Sequence, residues 1–160
     1  MDSQTLRTEI RTLTDRAEIT DLFDRYLRSL DDRAFDEEWA ASFFTEQAGT
    51  ATPAGHVRGR RAVLENVRTA MRLFDGTVHF GSNYVIEVAG DRATLRGNQL
   101  STHVLAGDGG LFLSGGRTDN ELVRTADGWR LHRADLHITW TQGNPPVLPA
   151  ELGGRAGSAL

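Results

Sequence analysis

The clearest pattern in the chain is Ile19, Leu22, Phe23, Tyr26, Leu27 and Leu30, spaced i, i+3, i+4, i+7, i+8 and i+11. That spacing is one apolar stripe on an α-helix, and it predicts a helix from about Asp15 to about Leu30. Asp15 with Glu18 three residues on resembles a capping box at its start, and Asp31-Asp32 reads as the break after it. Phe35, Trp39, Ala40, Phe43 and Phe44 repeat helical spacing over a second, shorter helix. Thr45 to Pro53 is turn-like with room for a short strand. Gly59 then precedes a third helix carrying Val63, Val67, Ala70, Met71 and Phe74, with Gly76 as its C-cap.

From Thr77 onward helical spacing does not return. Four long β segments are predicted, Thr77 to Ala89, Ala93 to Ala106, Leu111 to Thr125 and Trp129 to Gln142, joined by short Gly- and Asp-bearing turns. Helices first and an antiparallel meander afterwards predict an α+β fold: a strongly curved sheet wrapped as a cone around three N-terminal helices. Strands this long must coil, and Gly81, Gly97, Gly115 and Gly116 are where bends or bulges would form. Three segments follow: an N-terminal extension over 1–14, the domain over 15–144, and a Pro- and Gly-rich tail over 145–160, expected to be partly disordered. The short early strand is expected at a sheet edge, and the tail near the mouth of the cone.

The length of 160 residues suits one domain with a sizeable core. A net charge of −4 gives no basic footprint for nucleic acid, and no apolar run is long enough for a membrane span. A charged N-terminus lacks the apolar core of a signal peptide, so the chain reads as cytoplasmic. It has no cysteine, and all 18 basic residues are arginine. Disulfides, thiolate sites, Schiff-base lysines and Walker-type phosphate lysines are therefore excluded.

Tyr26-x4-Asp31, Val78-His79-Phe80-Gly81-Ser82-Asn83 and Gly90-Asp91-Arg92-Ala93, in this order after the helices, resemble the SnoaL-like branch of the nuclear transport factor two-like superfamily. The resemblance runs from about Asp15 to Thr141. The segment His79 to Asn83, with Gly115-Gly116 and Asp127-Gly128-Trp129, is most similar to hexachlorocyclohexane dehydrochlorinase. Helix one and the histidines are similar to scytalone dehydratase and bile-acid 7α-dehydratase. The family implies a site without cofactor or metal inside the cone, where Asp31 at the end of helix one pairs with His79 on the first long strand. A carboxylate on one imidazole nitrogen fixes the tautomer and leaves the other nitrogen to take a proton. The plain alternative is a helix-ending Asp31 and a satisfied core His79.

The resemblance also points to Tyr26, as a hydrogen-bonding phenol, and to His103, as an acid partner of His79. Each has an ordinary structural reading beside it, as a core tyrosine and a surface histidine. Phe23, Trp39, Phe43 and Met71 are expected to line the pocket, with Asn83, Arg117, Asp119 and His137 as further lining residues. On the last strand, alternation puts Asp135 and His137 on the face of Trp129. The arginine that the dehydrochlorinase carries on its last strand falls at Ala134, and Tyr26 stands where that enzyme has lysine. Both cationic groups for departing chloride are then missing. A two-histidine, one-carboxylate metal site from His79, His103 and Asp31 finds no compact H-x-[DE] spacing to support it.

The resemblance implies a cofactor-independent dehydratase-type lyase acting on a small apolar, polycyclic or polyketide-derived molecule in secondary metabolism or catabolism. A cyclase, an isomerase or an epoxide-opening cyclase uses the same base and acid. A non-catalytic binding or structural subunit uses the same fold. Apolar residues at both parities of several strands point to a homodimer or homotrimer through the outer sheet face.

Overall fold

The computed structural model describes residues 2–107 and 109–153. Helix α1 spans Ser3–Asp32, α2 Glu37–Phe43 and α3 Arg60–Met71, and a last turn, α4, covers Ala150–Gly153. The strands are β1 Phe44–Thr52, β2 Gly55–Arg58, β3 Phe74–Ala89, β4 Arg92–Leu105, β5 Leu111–Thr125 and β6 Gly128–Gln142. They form one six-stranded sheet in the order β2-β1-β6-β5-β4-β3. The four long strands are a sequential antiparallel meander, while β1 runs parallel to β6 and carries β2 as the outer edge. The expected α+β architecture is present, with the early segment as a full nine-residue strand.

One face of the sheet packs on the helices. Its core joins Ile19, Leu22, Phe23 and Leu27 of α1, Trp39 and Phe43 of α2, and Val63 and Leu64 of α3. Strand residues Ile86, Leu95, Leu122, Trp129 and Leu131 complete it. Of the four glycines expected at bends or bulges, Gly115 and Gly116 fall at a register irregularity. Tyr84 lies over Gly81 and Gly97, Trp140 lies over Gly115, and the pairing of β5 with β6 shifts between Gly115 and Gly116. A side chain at any of the three covered glycines would overlap those rings, so the curvature depends on their absence.

Several boundaries differ from the sequence reading. Helix α1 begins twelve residues earlier than expected, capped by Asp2, whose side chain accepts from Thr5 N–H at 2.8 Å. Residues 3–14, expected as an extension, are therefore continuous with the domain's first helix. Asp15 is not a cap. It lies in mid-helix, buried, and accepts two hydrogen bonds from Arg124 at 2.8 Å each and one from the Trp129 indole at 3.3 Å. The Arg124 guanidinium holds the Asp15 carboxyl below the usual carboxylate range. The real end of α1 is Arg33, whose positive φ of 62° stops the helix.

Helix α3 ends at Met71, so Phe74 and Gly76 belong to β3 and Gly76 caps nothing. In the tail, Leu152 is buried and α4 packs on α3, beside β2. The remaining residues of the expected disordered end, 154–160, lie outside the described residues. No helix among the described residues is long and apolar enough to cross a membrane.

Candidate active site

Asp31 sits in the last turn of α1, and β3 runs past it with Thr77 and His79 on the inner face. Alternation along β3 puts these two side chains on the same side, two residues apart. The carboxylate has three partners. Its Oδ1 lies 2.7 Å from His79 Nδ1 and accepts from the Thr77 hydroxyl at 2.8 Å, while Oδ2 accepts the His79 backbone N–H at 3.1 Å. The His79 side chain is 7% exposed and that of Asp31 18%. Because an ionised carboxylate only accepts, the neutral ring must carry its proton on Nδ1, leaving the Nε2 lone pair as the basic atom.

His103 stands beside the pair, its ring edge-on to that of His79 with centroids 5.7 Å apart. It is buried between Phe74 and Phe112, at 4.4 and 5.6 Å between centroids. Its Nδ1 donates to the Phe112 carbonyl at 3.1 Å, so the neutral ring again presents Nε2 as an acceptor. Burial pushes its pKa down, with a further push from His79, against the raising effects of the Phe112 bond and Asp31. His103 is therefore neutral near pH 7, and the resting ring has no proton on Nε2 for a leaving oxygen. The surface-histidine reading fails, and the acid role would require His103 to gain a proton first.

Tyr26 does not join the dyad. Its ring is held among Phe23, Phe43, Phe44 and Trp39 at 5.4 to 6.4 Å between centroids. Burial pushes its phenol up to about 12, and the hydroxyl makes no hydrogen bond among the described residues. Phe23, Trp39, Phe43 and Met71 are buried core side chains. The expected aromatic lining is thus packed against itself. Two hollows lie elsewhere: about 620 Å³ beside Arg16, Asp24 and Tyr84, and about 340 Å³ over β1, β2 and β6. Neither contains Asp31, His79 or His103.

The remaining expected lining residues are not brought to the dyad. Asn83 is exposed with a φ of 58° at the shift between Ser82 and Val85, and accepts from the Ser82 hydroxyl. Arg117, Asp119 and His137 form an exposed ion cluster on the opposite face of the sheet. A register shift between β5 and β6 at Glu121 and Leu122 breaks simple alternation. It turns Asp135 and His137 away from the face that buries Trp129, contrary to the parity expected. Ala134 is buried. Among the described residues no group of three His, Asp or Glu is arranged to hold a metal ion.

Sequence reasoning missed three polar neighbours of the dyad. Thr77 holds Asp31. Ser101 and Ser114, both buried, stand in register across from His79 on β4 and β5. Thr77 was recoverable from its two-residue spacing to His79, whereas Ser101 and Ser114 depend on strand register.

The SnoaL-like domain family matches residues 11–135, which span the helices, the dyad and most of the sheet. The chain belongs to the SnoaL-like domain family. The uncharacterized protein Rv2910c of Mycobacterium tuberculosis is 32% identical over 127 residues, covering 78% of this chain and 85% of that protein. Among solved structures, a protein from Novosphingobium aromaticivorans named for scytalone dehydratase is 25% identical. It matches with a TM-score of 0.76 over 91% of this chain and 97% of its own. Hexachlorocyclohexane dehydrochlorinase LinA-type3 from Novosphingobium barchaimii shares the fold, at 21% identity and a TM-score of 0.75 over 88% of this chain and 97% of its own. The architecture is the nuclear transport factor two-like fold, and the fold family includes lyases of both these kinds.

Proposed function

We propose that this SnoaL-like protein is a cofactor-independent lyase that removes water from a small apolar hydroxy-carbonyl compound. The observation that carries the reading is the Asp31–His79 pair, closed at 2.7 Å with a second bond to the His79 backbone. His79 Nε2 takes the proton on the carbon beside a carbonyl, and Asp31 stabilises the imidazolium. The electron pair from the C–H bond forms the new double bond as the C–O bond breaks. The proton on His79 then passes to the departing hydroxide, which leaves as water, and the base is regenerated. Neutral His103 accepts a hydrogen bond from a second substrate O–H. Tyr26 contributes packing to the aromatic cluster beside the dyad.

Cyclisation, isomerisation or epoxide opening would use the same Nε2 base. A second reading, a non-catalytic binding or structural subunit, is favoured by the separation of both hollows from His79. The test is an assay of wild type, His79→Ala and Asp31→Asn on cyclic β-hydroxy ketones, with circular dichroism to check folding. Loss of elimination in folded variants supports the lyase. Equal activity in folded His79→Ala protein overturns it in favour of the binding module. The proposed assembly is a homodimer or homotrimer.

A further inference from the structure

Removing a proton beside a carbonyl throws charge onto the carbonyl oxygen, and that oxygen needs hydrogen-bond donors aimed at it. None of the groups placed so far supplies one. Thr77 already donates to Asp31, neutral His103 offers a lone pair, and the Tyr26 ring is held in the aromatic cluster.

The sheet row that carries His79 has two free donors. His79 pairs with Ser101 on β4, and Ser101 pairs with Ser114 on β5, so the three side chains leave the same face of the sheet. Both serines are buried, at 3% and 7% exposure. Ser101 accepts from the Gln99 side chain at 3.3 Å, while among the described residues its own O–H meets no acceptor. The Ser114 side chain makes no hydrogen bond among the described residues, yet its oxygen is not sealed off. The sealed orphan side-chain atoms there are Arg33 Nη2 and Asp135 Oδ1 alone. Two residues along each strand on the same face, Thr77, Gln99, Phe112 and Gly116 are only half-buried, so the row borders open space.

A buried hydroxyl without an acceptor costs stability, and two of them in one row with a base call for an acceptor that arrives with a ligand. Neighbouring strands lie about 5 Å apart, so a single oxygen between the two hydroxyls is within hydrogen-bond reach of both.

We propose that Ser101 and Ser114 are catalytic donors that hold the substrate carbonyl oxygen while His79 takes the adjacent proton. The inference rests on the lyase reading and deepens it: the carbonyl is the group the site recognises, on the carbon next to the one that loses its proton. As His79 Nε2 takes that proton, the C–H electron pair forms a double bond to the carbonyl carbon and the carbonyl pair moves onto oxygen, where both hydroxyls meet it. When the carbonyl re-forms, the pair shifts toward the carbon bearing the hydroxyl group. Hydroxide departs with the C–O electrons and takes the proton back from His79. Gln99 is a positioning residue, because its bond to Ser101 Oγ turns that O–H away from β4's own side chains.

The test reads binding without turnover. 4-Nitrophenolate carries an enolate-like oxygen on a flat apolar ring, and 4-nitroanisole is the same ring with that oxygen methylated and uncharged. Calorimetric titration of the full chain should show saturable phenolate binding at millimolar concentration, with the anisole at least about tenfold weaker. Ser101→Ala and Ser114→Ala should each weaken the phenolate about tenfold and leave the anisole unchanged. The urea midpoint of Ser114→Ala should stay level or rise, since a methyl group replaces a hydroxyl that has no acceptor. On a responsive β-hydroxy ketone the same variants should lower kcat about 10²-fold. Serine-dependent phenolate binding in a protein that fails to eliminate water would overturn the lyase reading and uphold the donor pair. Equal binding of the two probes, phenolate binding unchanged in both folded variants, or a marked fall in the Ser114→Ala midpoint would overturn the donor pair.

Discussion

Asp31 meets His79 twice, taking the ring nitrogen with one carboxylate oxygen and the backbone N–H with the other. The double contact locks the ring to the strand and α1 to β3, so the orientation of the base is built into the join between helix and sheet. For catalysis the consequence is asymmetric. His79→Ala removes the base and should lower the elimination rate about 10²- to 10⁴-fold. Asp31→Asn keeps the shape but not the charge that stabilises the imidazolium, and should cost nearly as much. Steady-state kinetics on the responsive substrate, with folding checked by circular dichroism, decides both.

Thr77 acts on the same carboxylate from the side, donating to Asp31 Oδ1 at 2.8 Å. Removing that donor with Thr77→Val should loosen the hold on Asp31 without removing its contact with His79. The expected result is a fall in kcat of about tenfold or less, with an altered pH profile and little change in KM. A kcat and pH profile equal to wild type would show that Thr77 has no part in tuning the pair.

The meander was legible for physical reasons, because strand periods of two and helix periods near 3.6 are imposed by burial. The pairing of Asp31 with His79 came instead from the family resemblance, since spacing alone left a helix-ending Asp31 and a core His79 open. The start of α1 was not legible because Leu6, Ile10 and Leu13 are exposed: their stripe continues the helix without joining the core, and no proline or glycine interrupts it. Asp15 looked like a cap because a carboxylate at that spacing suits one. Its partners Arg124 and Trp129 are more than a hundred residues away. The faces of Asp135 and His137 were misread because a register shift is invisible to alternation. Tyr26 shows the limit of a stripe, which says that a residue is inside without saying whether its hydroxyl is met.

Asp15 and Arg124 give a stability prediction free of the catalytic reading. The carboxylate is buried and takes the two terminal guanidinium nitrogens of Arg124, whose plane also covers the Trp129 ring at 4.4 Å. Asp15→Ala leaves the Trp129 indole donor without its acceptor and the Arg124 guanidinium with Asp91 as its remaining ion-pair partner. It should destabilise the fold by about 3 kcal/mol, less than a fully buried pair because Arg124 keeps some contact with water. Urea unfolding followed by far-ultraviolet dichroism measures it, and a midpoint unchanged from wild type would refute the role.

His103 sets a pH dependence with a definite sign. Its pKa is lowered in the fold, chiefly by burial, so the unfolded chain binds the proton more readily. The stability of neutral His103 is present above the unfolded histidine value of about 6.5 and is lost as pH falls through the lower folded value. Asp15, also lowered, loses its contribution only as pH falls from the ordinary carboxylate value of about 3.9 toward its lower folded value, so the two windows separate. Thermal midpoints of wild type should drop between pH 7 and 5, and His103→Gln should flatten that drop. An equal drop in the variant would assign it to other groups.

Phe80, Leu100 and Trp140 form an apolar row across the sheet face opposite the helices. Phe80 pairs with Leu100, Leu100 with Gly115, and Gly115 with Trp140, so the ring of Trp140 fills the space left by the glycine. All three side chains are largely exposed, and Val78 extends the row along β3. A contiguous apolar surface of this kind is unusual on a monomer, and a second copy of the same face would cover it. The expected species in sedimentation equilibrium is a dimer or trimer of the 17.6 kDa chain. Phe80→Glu puts a charge at the centre of the row, where burial in an interface would be costly, while in the monomer it would stay in water. The variant should therefore sediment as a folded monomer. Identical association of wild type and Phe80→Glu would place the interface elsewhere, and a wild-type monomer at micromolar concentration would refute assembly through this row.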